Sequence, residues 1–259
     1  MTAAEAQNVP LECWAYGYVR AMKNFLKERI FVILSRPSSP ENIGLVARGM
    51  KNTGFGQLRL VLDQPLSKDA FKTAVHSEGL LKNAGVYSSL QEATQDMNVV
   101  FAAASRRRRN FPSLTLHDAV EKMMRYSEKA NIGLVFGNER TGLITKEMRC
   151  SNFRFSLPQA TKQPSYNLAS AVLLTLFQLF MRESSQEKTK GLSYPVSRKE
   201  QEECIQLIIR ILTDKKFIHS GNREHIIDRM YDLLGRLEMT QKDRSLLLAV
   251  FAKGVEDKR

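Results

Sequence analysis

Gly137-Asn138-Glu139-Arg140-Thr141-Gly142-Leu143 directly follows Ile132-Gly133-Leu134-Val135-Phe136, an apolar run short enough to be one buried strand. Two glycines at the carboxyl end of such a strand stand where open α/β sheets place ligands, because glycine tolerates left-handed backbone and close approach. Taken alone, the heptad is equally an ordinary strand-to-helix turn. The segments on either side of it decide between the two readings.

From residue 30 the chain alternates β-rich runs at 30–34, 58–62, 98–103, 132–136 and 153–157 with helical patterns at roughly 43–53, 115–129 and 167–182. Such alternation predicts an α/β domain with a mainly parallel sheet. The polar stretch 183–196, ending in Tyr194-Pro195, reads as a linker. Beyond it, Ser197 and Glu200 have capping-box spacing, and Cys204, Ile205, Ile208, Ile209 and Leu212 recur on one helical face. Asn222 is placed to cap a second helix and Thr240 to open a third, so 197–259 reads as a small all-helical extension. Residues 1–28, with Trp14, Tyr16 and Tyr18, form an N-terminal extension without recognisable chemistry, and 29–182 is the α/β domain.

Of the 259 residues, 39 are Lys or Arg and 27 are Asp or Glu, a formal charge of +12 that favours a polyanionic partner. The helical part from 184 onward carries only +3 of this, so the polyanion is expected to meet mainly the first 183 residues. Cys13, Cys150 and Cys204 are far apart, and no His stands at metal-ligand spacing, which argues against a zinc site or a disulfide framework. No apolar run of eighteen residues and no basic, apolar leader occurs; a cytoplasmic protein without a membrane partner is expected.

Three further segments flank the heptad. Asn42-Ile43-Gly44-Leu45-Val46-Ala47-Arg48 follows the first strand. If a helix starts near Asn42, Arg48 lies almost two turns in, where its planar fork can meet phosphate or ribose oxygens; a lone helical arginine is more often solvated surface. Pro164-Ser165-Tyr166-Asn167-Leu168-Ala169 precedes the apolar helix near 167–182. Ser165 or Asn167 can cap that helix, and its exposed start also offers N–H groups to a ligand. Arg106 to Arg109 are four consecutive cations that by themselves read as solvated surface; their place after the strand near 98–103 favours phosphate binding.

Together these residues resemble the SpoU/TrmH branch of the SPOUT RNA methyltransferases, and within it the TrmJ-like tRNA 2′-O-methyltransferases. The branch is marked by N-x-G-x-x-x-R, G-x-E-R-x-G-L and S-x-N-L-type motifs, and Asn42 to Arg48, Gly137 to Leu143 and Ser165 to Leu168 match them in that order. The likeness runs from about residue 29 to the end. It implies a SPOUT-type sheet closed by a C-terminal deep trefoil knot, an exception to the usual avoidance of knots. It also implies S-adenosylmethionine held largely through the backbone by Ala103, Ala104, Ser105, Gly137, Leu157, Pro164, Ser165, Tyr166 and Asn167. A homodimer completing the active site across its interface is implied too. Two segments depart from the pattern: Ala103-Ala104-Ser105 stands for Thr-Ser-Ala, and Tyr166 for Leu.

The expected reaction is 2′-O-methylation of tRNA, at nucleotide 32 of the anticodon loop. Arg48, Ser165 and Asn42 are the catalytic candidates. Arg48 orients and polarises the hydroxyl, Ser165 positions the ribose or Arg48, and Asn42 holds the turn. Arg48, Arg106 and Arg108 are expected to meet RNA, and Glu139 and Arg140 to brace the loop and the dimer. The alternatives are ribosomal RNA as the substrate or a non-catalytic, knotted RNA-binding protein.

Overall fold

A computed structural model of the chain describes residues 25–104, 113–126, 129–160, 165–183 and 194–253. The first half runs α1 (Phe25–Arg29), β1 (Ile30–Ser35), α2 (Pro40–Thr53), β2 (Gln57–Val61), α3 (Asp69–Ala74), α4 (Glu78–Lys82), β3 (Gly85–Tyr87), α5 (Leu90–Thr94) and β4 (Val99–Ala103). It continues through β5 (Leu114–Thr115), α6 (Leu116–Met123), β6 (Ile132–Phe136), α7 (Thr145–Met148), β7 (Phe153–Ser156) and α8 (Leu168–Glu183). Three helices close the chain: α9 (Arg198–Asp214), α10 (Arg223–Leu234) and α11 (Gln241–Lys253).

The strands assemble in the order β3-β2-β1-β6-β4-β7-β5, and every ladder is parallel. A parallel sheet is covered on both faces, so its central strands are apolar at every position rather than at alternate ones. All five residues of β6 are buried, as that rule requires. One face, including Val32, Leu34, Leu60, Phe101 and Leu134, packs on Ile43, Val46 and Met50 of α2 and Val172, Leu176 and Leu179 of α8. The other face, including Ile33, Val61, Val100 and Val135, packs on Leu90, Ala93, Met97 and Met148.

Topology fixes where a ligand can enter. From β1 the chain moves outward through β2 to β3, then returns to β4 on the far side, and β6 fills the gap between β1 and β4. Strand order therefore reverses around β1, β6 and β4, and a crevice opens beyond their carboxyl ends.

The sequence pattern missed the two edge strands. β3 has three residues, with Val86 58% exposed, and β5 has two, so neither carries a hydrophobic period to read. The helix expected over 115–129 ends at Met123, where Arg125 and Tyr126 bond back to the carbonyls of Lys122 and Met123 in tighter, three-residue turns. α2 begins before Asn42: the Ser39 hydroxyl accepts from the Asn42 N–H at 3.2 Å, and Pro40 occupies the first turn.

Gly44 has a packing role. A Cβ there would lie 2.1 Å from both the Ala70 carbonyl oxygen and Thr73 Oγ1, so only glycine lets α3 cross α2 this closely.

The last three helices gather their own core from Val196, Cys204, Ile205, Ile208, Ile218, Leu234 and Met239. Ser197 and Glu200 form the full capping box, and Thr240 accepts from the Asp243 N–H at the head of α11. Asn222 does not cap α10 with its side chain. Its carboxamide accepts from His219 N–H and donates to the Phe217 carbonyl, holding the preceding turn instead. Buried polar groups join this core to the sheet. Arg198 donates to the Arg149 carbonyl (2.9 Å) and to Gln201 Oε1 (2.5 Å), Asn152 donates to the Gly235 carbonyl (2.8 Å), and Asn98 to the Pro195 carbonyl (2.7 Å). No helix among the described residues is long and apolar enough to cross a membrane.

Gly44→Ala is expected to overpack the α2–α3 crossing and lower unfolding free energy by about 1–3 kcal/mol. Urea denaturation checks this; an unshifted midpoint would mean that α3 moves aside at no cost.

Candidate functional site

The 137–143 loop is built from within. Gly137 faces the returning chain so closely that a Cβ would stand 2.5 Å from the Gly142 carbonyl carbon and 2.6 Å from Leu143 N, and Gly142 itself has φ +65°. Asn138 closes the turn: its carbonyl accepts from Gly142 N–H at 2.8 Å, and its side-chain oxygen accepts from the N–H groups of Arg140 and Thr141. Its side-chain amide donates to the Arg36 carbonyl (2.7 Å), tying the loop to the turn after β1. Sequence reasoning left Asn138 out, although asparagine beside glycine is ordinary turn chemistry and was the signal available.

Glu139 makes a second tie. Its carboxylate accepts from Ser38 N–H (2.8 Å), Ser38 Oγ (2.7 Å), Ser39 N–H (3.2 Å) and Asn42 Nδ2 (2.8 Å). Burial pushes the Glu139 carboxyl up, but the Ser38 backbone N–H, the Asn42 amide and the Ser38 hydroxyl outweigh it and hold the group at about 2. Asn42 also accepts from Asn167 Nδ2 (3.0 Å), so one chain of hydrogen bonds links the three sequence motifs.

A third carboxylate tie lies just beyond the loop. Glu147 accepts from Ser35 Oγ (2.5 Å), Arg36 Nε (2.8 Å), Arg36 Nη2 (2.7 Å) and Ile144 N–H (2.8 Å). Burial raises its carboxyl, and the bonds from Arg36, Ser35 and Ile144 bring it below its ordinary value. No motif pointed to Ser35, Arg36 or Glu147.

Beyond the strands' carboxyl ends lies a cleft of about 470 Å³, within the size range of small-molecule sites. Ala103 and Ala104 after β4, Gly137 after β6, Leu157 after β7, and Ser165 and Tyr166 before α8 all line it, with Glu139, Arg140 and Asn138 along the loop wall. The wall mixes small residues and turn glycines with the larger side chains of Phe136, Leu143, Met148 and Arg154. Tyr166 Oη donates to the Pro158 carbonyl (2.8 Å), linking the segment before α8 to the one leaving β7.

Not every candidate residue falls there. Ser105, Arg106, Arg108 and Pro164 lie outside the described residues. Asn167, expected against the cofactor, is not in the lining: its side-chain oxygen caps α8 by accepting from Ala169 N–H (2.9 Å) and Ser170 N–H (3.4 Å). Asn42 is buried behind Glu139, also off the lining. Arg48 points to solvent from α2 and does not line the cleft of its own chain. Among the described residues no group of three or more His, Cys, Asp or Glu is placed to hold a metal.

The low pKa of Glu139 carries a pH signature. A carboxyl depressed in the folded state stabilises it above the ordinary value of 4.5, and this contribution fades as pH falls from there towards 2. Because the group is only partly buried, the contribution is about 1–2 kcal/mol. Glu139→Gln should lose it at neutral pH and differ less and less from the parent as pH drops through that window. Paired urea titrations at pH 7 and pH 3 check this, and a constant gap would contradict it.

The SpoU rRNA Methylase family model matches residues 29–177. The chain is 35% identical over 158 residues to the tRNA (cytidine-2′-O-)-methyltransferase TrmJ of Methanocaldococcus jannaschii, covering 59% of this chain and 68% of that protein. It is 29% identical over 252 residues to the tRNA (cytidine/uridine/adenosine-2′-O-)-methyltransferase TrmJ of Pseudomonas aeruginosa, covering 90% and 98%. The crystal structure of TrmJ from Z. mobilis superposes with a TM-score of 0.76 at 26% identity, covering 86% of this chain and 97% of that one. With its family match spanning more than half its length, the chain belongs to the SpoU rRNA methylase family.

Proposed function

We propose that the chain is a cytoplasmic tRNA methyltransferase that moves a methyl group from S-adenosylmethionine to a ribose 2′-hydroxyl, at nucleotide 32 of the anticodon loop. The observation that carries this reading is the convergence of Ala103, Ala104, Gly137, Leu157, Ser165 and Tyr166 on one cleft at the sheet's switch point, in a member of a methylase family. Relatives named as tRNA 2′-O-methyltransferases support tRNA as the substrate.

The cleft is of a size to take the cofactor, and Ala103, Ala104, Gly137, Leu157, Ser165 and Tyr166 line it. Bound there, S-adenosylmethionine supplies a methyl group already activated on a sulfonium. Gly137, Leu157, Ala103 and Ala104 would hold it, joined by Ser105, Pro164, Ser165 and Tyr166, with the segments knotted around it as in the family. Glu139, on the cleft wall, fixes the loop, and Asn167 acts one step back, fixing the start of α8.

Attack by a ribose hydroxyl needs orientation, help with its proton and charge stabilisation. Arginine stays protonated and cannot serve as a simple base. Arg48 is therefore assigned to orient the 2′-hydroxyl and adjacent phosphate and to stabilise developing negative charge, with Ser165 positioning the ribose and Asn42 the turn. Since Arg48 is exposed away from its own cleft, it would act on the cleft of a second copy in a homodimer. An apolar stripe on α8, with Leu173 42%, Phe177 50% and Met181 51% exposed beside Leu45 of α2, supports that pairing. Arg106 and Arg108 are assigned to RNA phosphates, and Arg140 to the loop and interface.

Labelled-methyl transfer to total tRNA and ribosomal RNA, with the modified nucleotide mapped, tests the whole reading. Incorporation at nucleotide 32 of tRNA is expected, and Arg48→Ala should cut turnover by about 10²–10³-fold while leaving the fold intact. Label in ribosomal RNA alone would move the substrate to that RNA. No label in either, with cofactor binding retained in calorimetry, would leave a non-catalytic RNA-binding protein. Phe177→Glu is expected to yield monomers in sedimentation and lose turnover with Arg48 untouched; a fully active monomer would overturn the dimer. Neutralising Arg106 and Arg108 should flatten the salt dependence of tRNA binding without changing cofactor affinity.

A further inference from the structure

Arg36 is the residue on which the turn after β1 pivots, and its backbone is left-handed, with φ +51°. A non-glycine residue there is strained and persists only where its surroundings over-determine it. The surroundings here are specific. Arg36 N–H donates to the Val61 carbonyl at 3.0 Å, and the guanidinium forms a two-point pair with Glu147, whose carboxylate also takes the buried Ser35 hydroxyl. The outcome of that conformation is where the Arg36 carbonyl points: at Asn138 Nδ2, the amide whose partner oxygen holds the N–H groups of Arg140 and Thr141. The same turn presents Ser38 and Ser39 to Glu139 and places Ser39 as the cap of α2, the helix that bears Arg48.

We infer that the Glu147–Arg36 pair is a positioning device: it holds Arg36 in its left-handed conformation and thereby sets both the cofactor loop 137–143 and the start of the Arg48 helix. Neither residue lines the cleft, so each acts through others. The inference rests on reading the cleft as the S-adenosylmethionine site. Its main test, however, does not require the cofactor.

The decisive comparison is Arg36→Gly against Arg36→Ala. Both remove the guanidinium, but glycine adopts φ +51° freely whereas alanine relaxes away from it. In hydrogen–deuterium exchange on the unliganded protein, the amides of Arg140, Thr141 and Gly142 should stay protected in Arg36→Gly and exchange about fivefold faster or more in Arg36→Ala. Glu147→Gln should speed the same amides in the parent and have little effect in the Arg36→Gly background. Calorimetry with S-adenosylmethionine should follow the same order, with affinity falling between about tenfold and a hundredfold in Glu147→Gln and Arg36→Ala.

Equal loss of protection in the glycine and alanine variants would overturn the inference, because the guanidinium would then matter by itself. So would unchanged loop protection in Glu147→Gln. If the parent fails to bind S-adenosylmethionine while the exchange pattern holds, the cofactor reading falls and the positioning role stands.

Discussion

The structure depends on β6 being inserted between two strands that precede it in sequence. A strand buried on both faces and paired on both edges has no freedom at its carboxyl end, and the chain leaving it must find partners for its polar groups in a crowded place. It finds them in the turn after β1. Asn138, Glu139 and Glu147 reach across from one side, and the Arg36 carbonyl, Ser38, Ser39 and the Arg36 guanidinium receive them from the other. Two partly buried carboxylates in so small a region would ordinarily be unfavourable. Each here accepts four hydrogen bonds, which is why both titrate below the usual range despite burial.

The same logic extends to the last three helices. Arg198 is buried to 4% exposure, and its bonded partners are the oxygens of Arg149, Gln201 and Gly235 rather than a carboxylate. Burial lowers its pKa, yet carbonyl dipoles satisfy its donors without burying a second charge. Arg149, whose carbonyl accepts from Arg198, caps the end of α7, which carries Glu147 and Met148. The helical extension therefore holds the residue that follows Met148, which lines the cleft.

How much of this was legible in the sequence follows from what each feature needs. The central strands could be read because burial on both faces writes a continuous apolar run, and β6 was placed to the residue. α9 announced itself by the Ser197–Glu200 box, a purely local signal. β3 and β5 were invisible because two- and three-residue edges are defined by their partners alone. The motif residues could be named, but not sorted: Asn167 reads equally as a ligand contact or a cap, and only the positions of Ala169 and Ser170 show its oxygen to be engaged within the chain. Arg36, Glu147 and Asn138 form pairs more than a hundred residues apart, or touch backbone whose direction is set by a left-handed residue, and no spacing rule carries that information.

Tyr166 shows how a change of side chain in the cleft lining can be accommodated. A ligand recognised through main-chain groups depends on where segments lie, and a substitution matters only if it moves them. Tyrosine is larger than the leucine it replaces in the family pattern, but its hydroxyl reaches the Pro158 carbonyl, eight residues back, and fastens the segment before α8 to the one leaving β7. The departure from the motif brings a contact leucine cannot make, so the chain around the cleft is tied at Tyr166 as well as at Asn138.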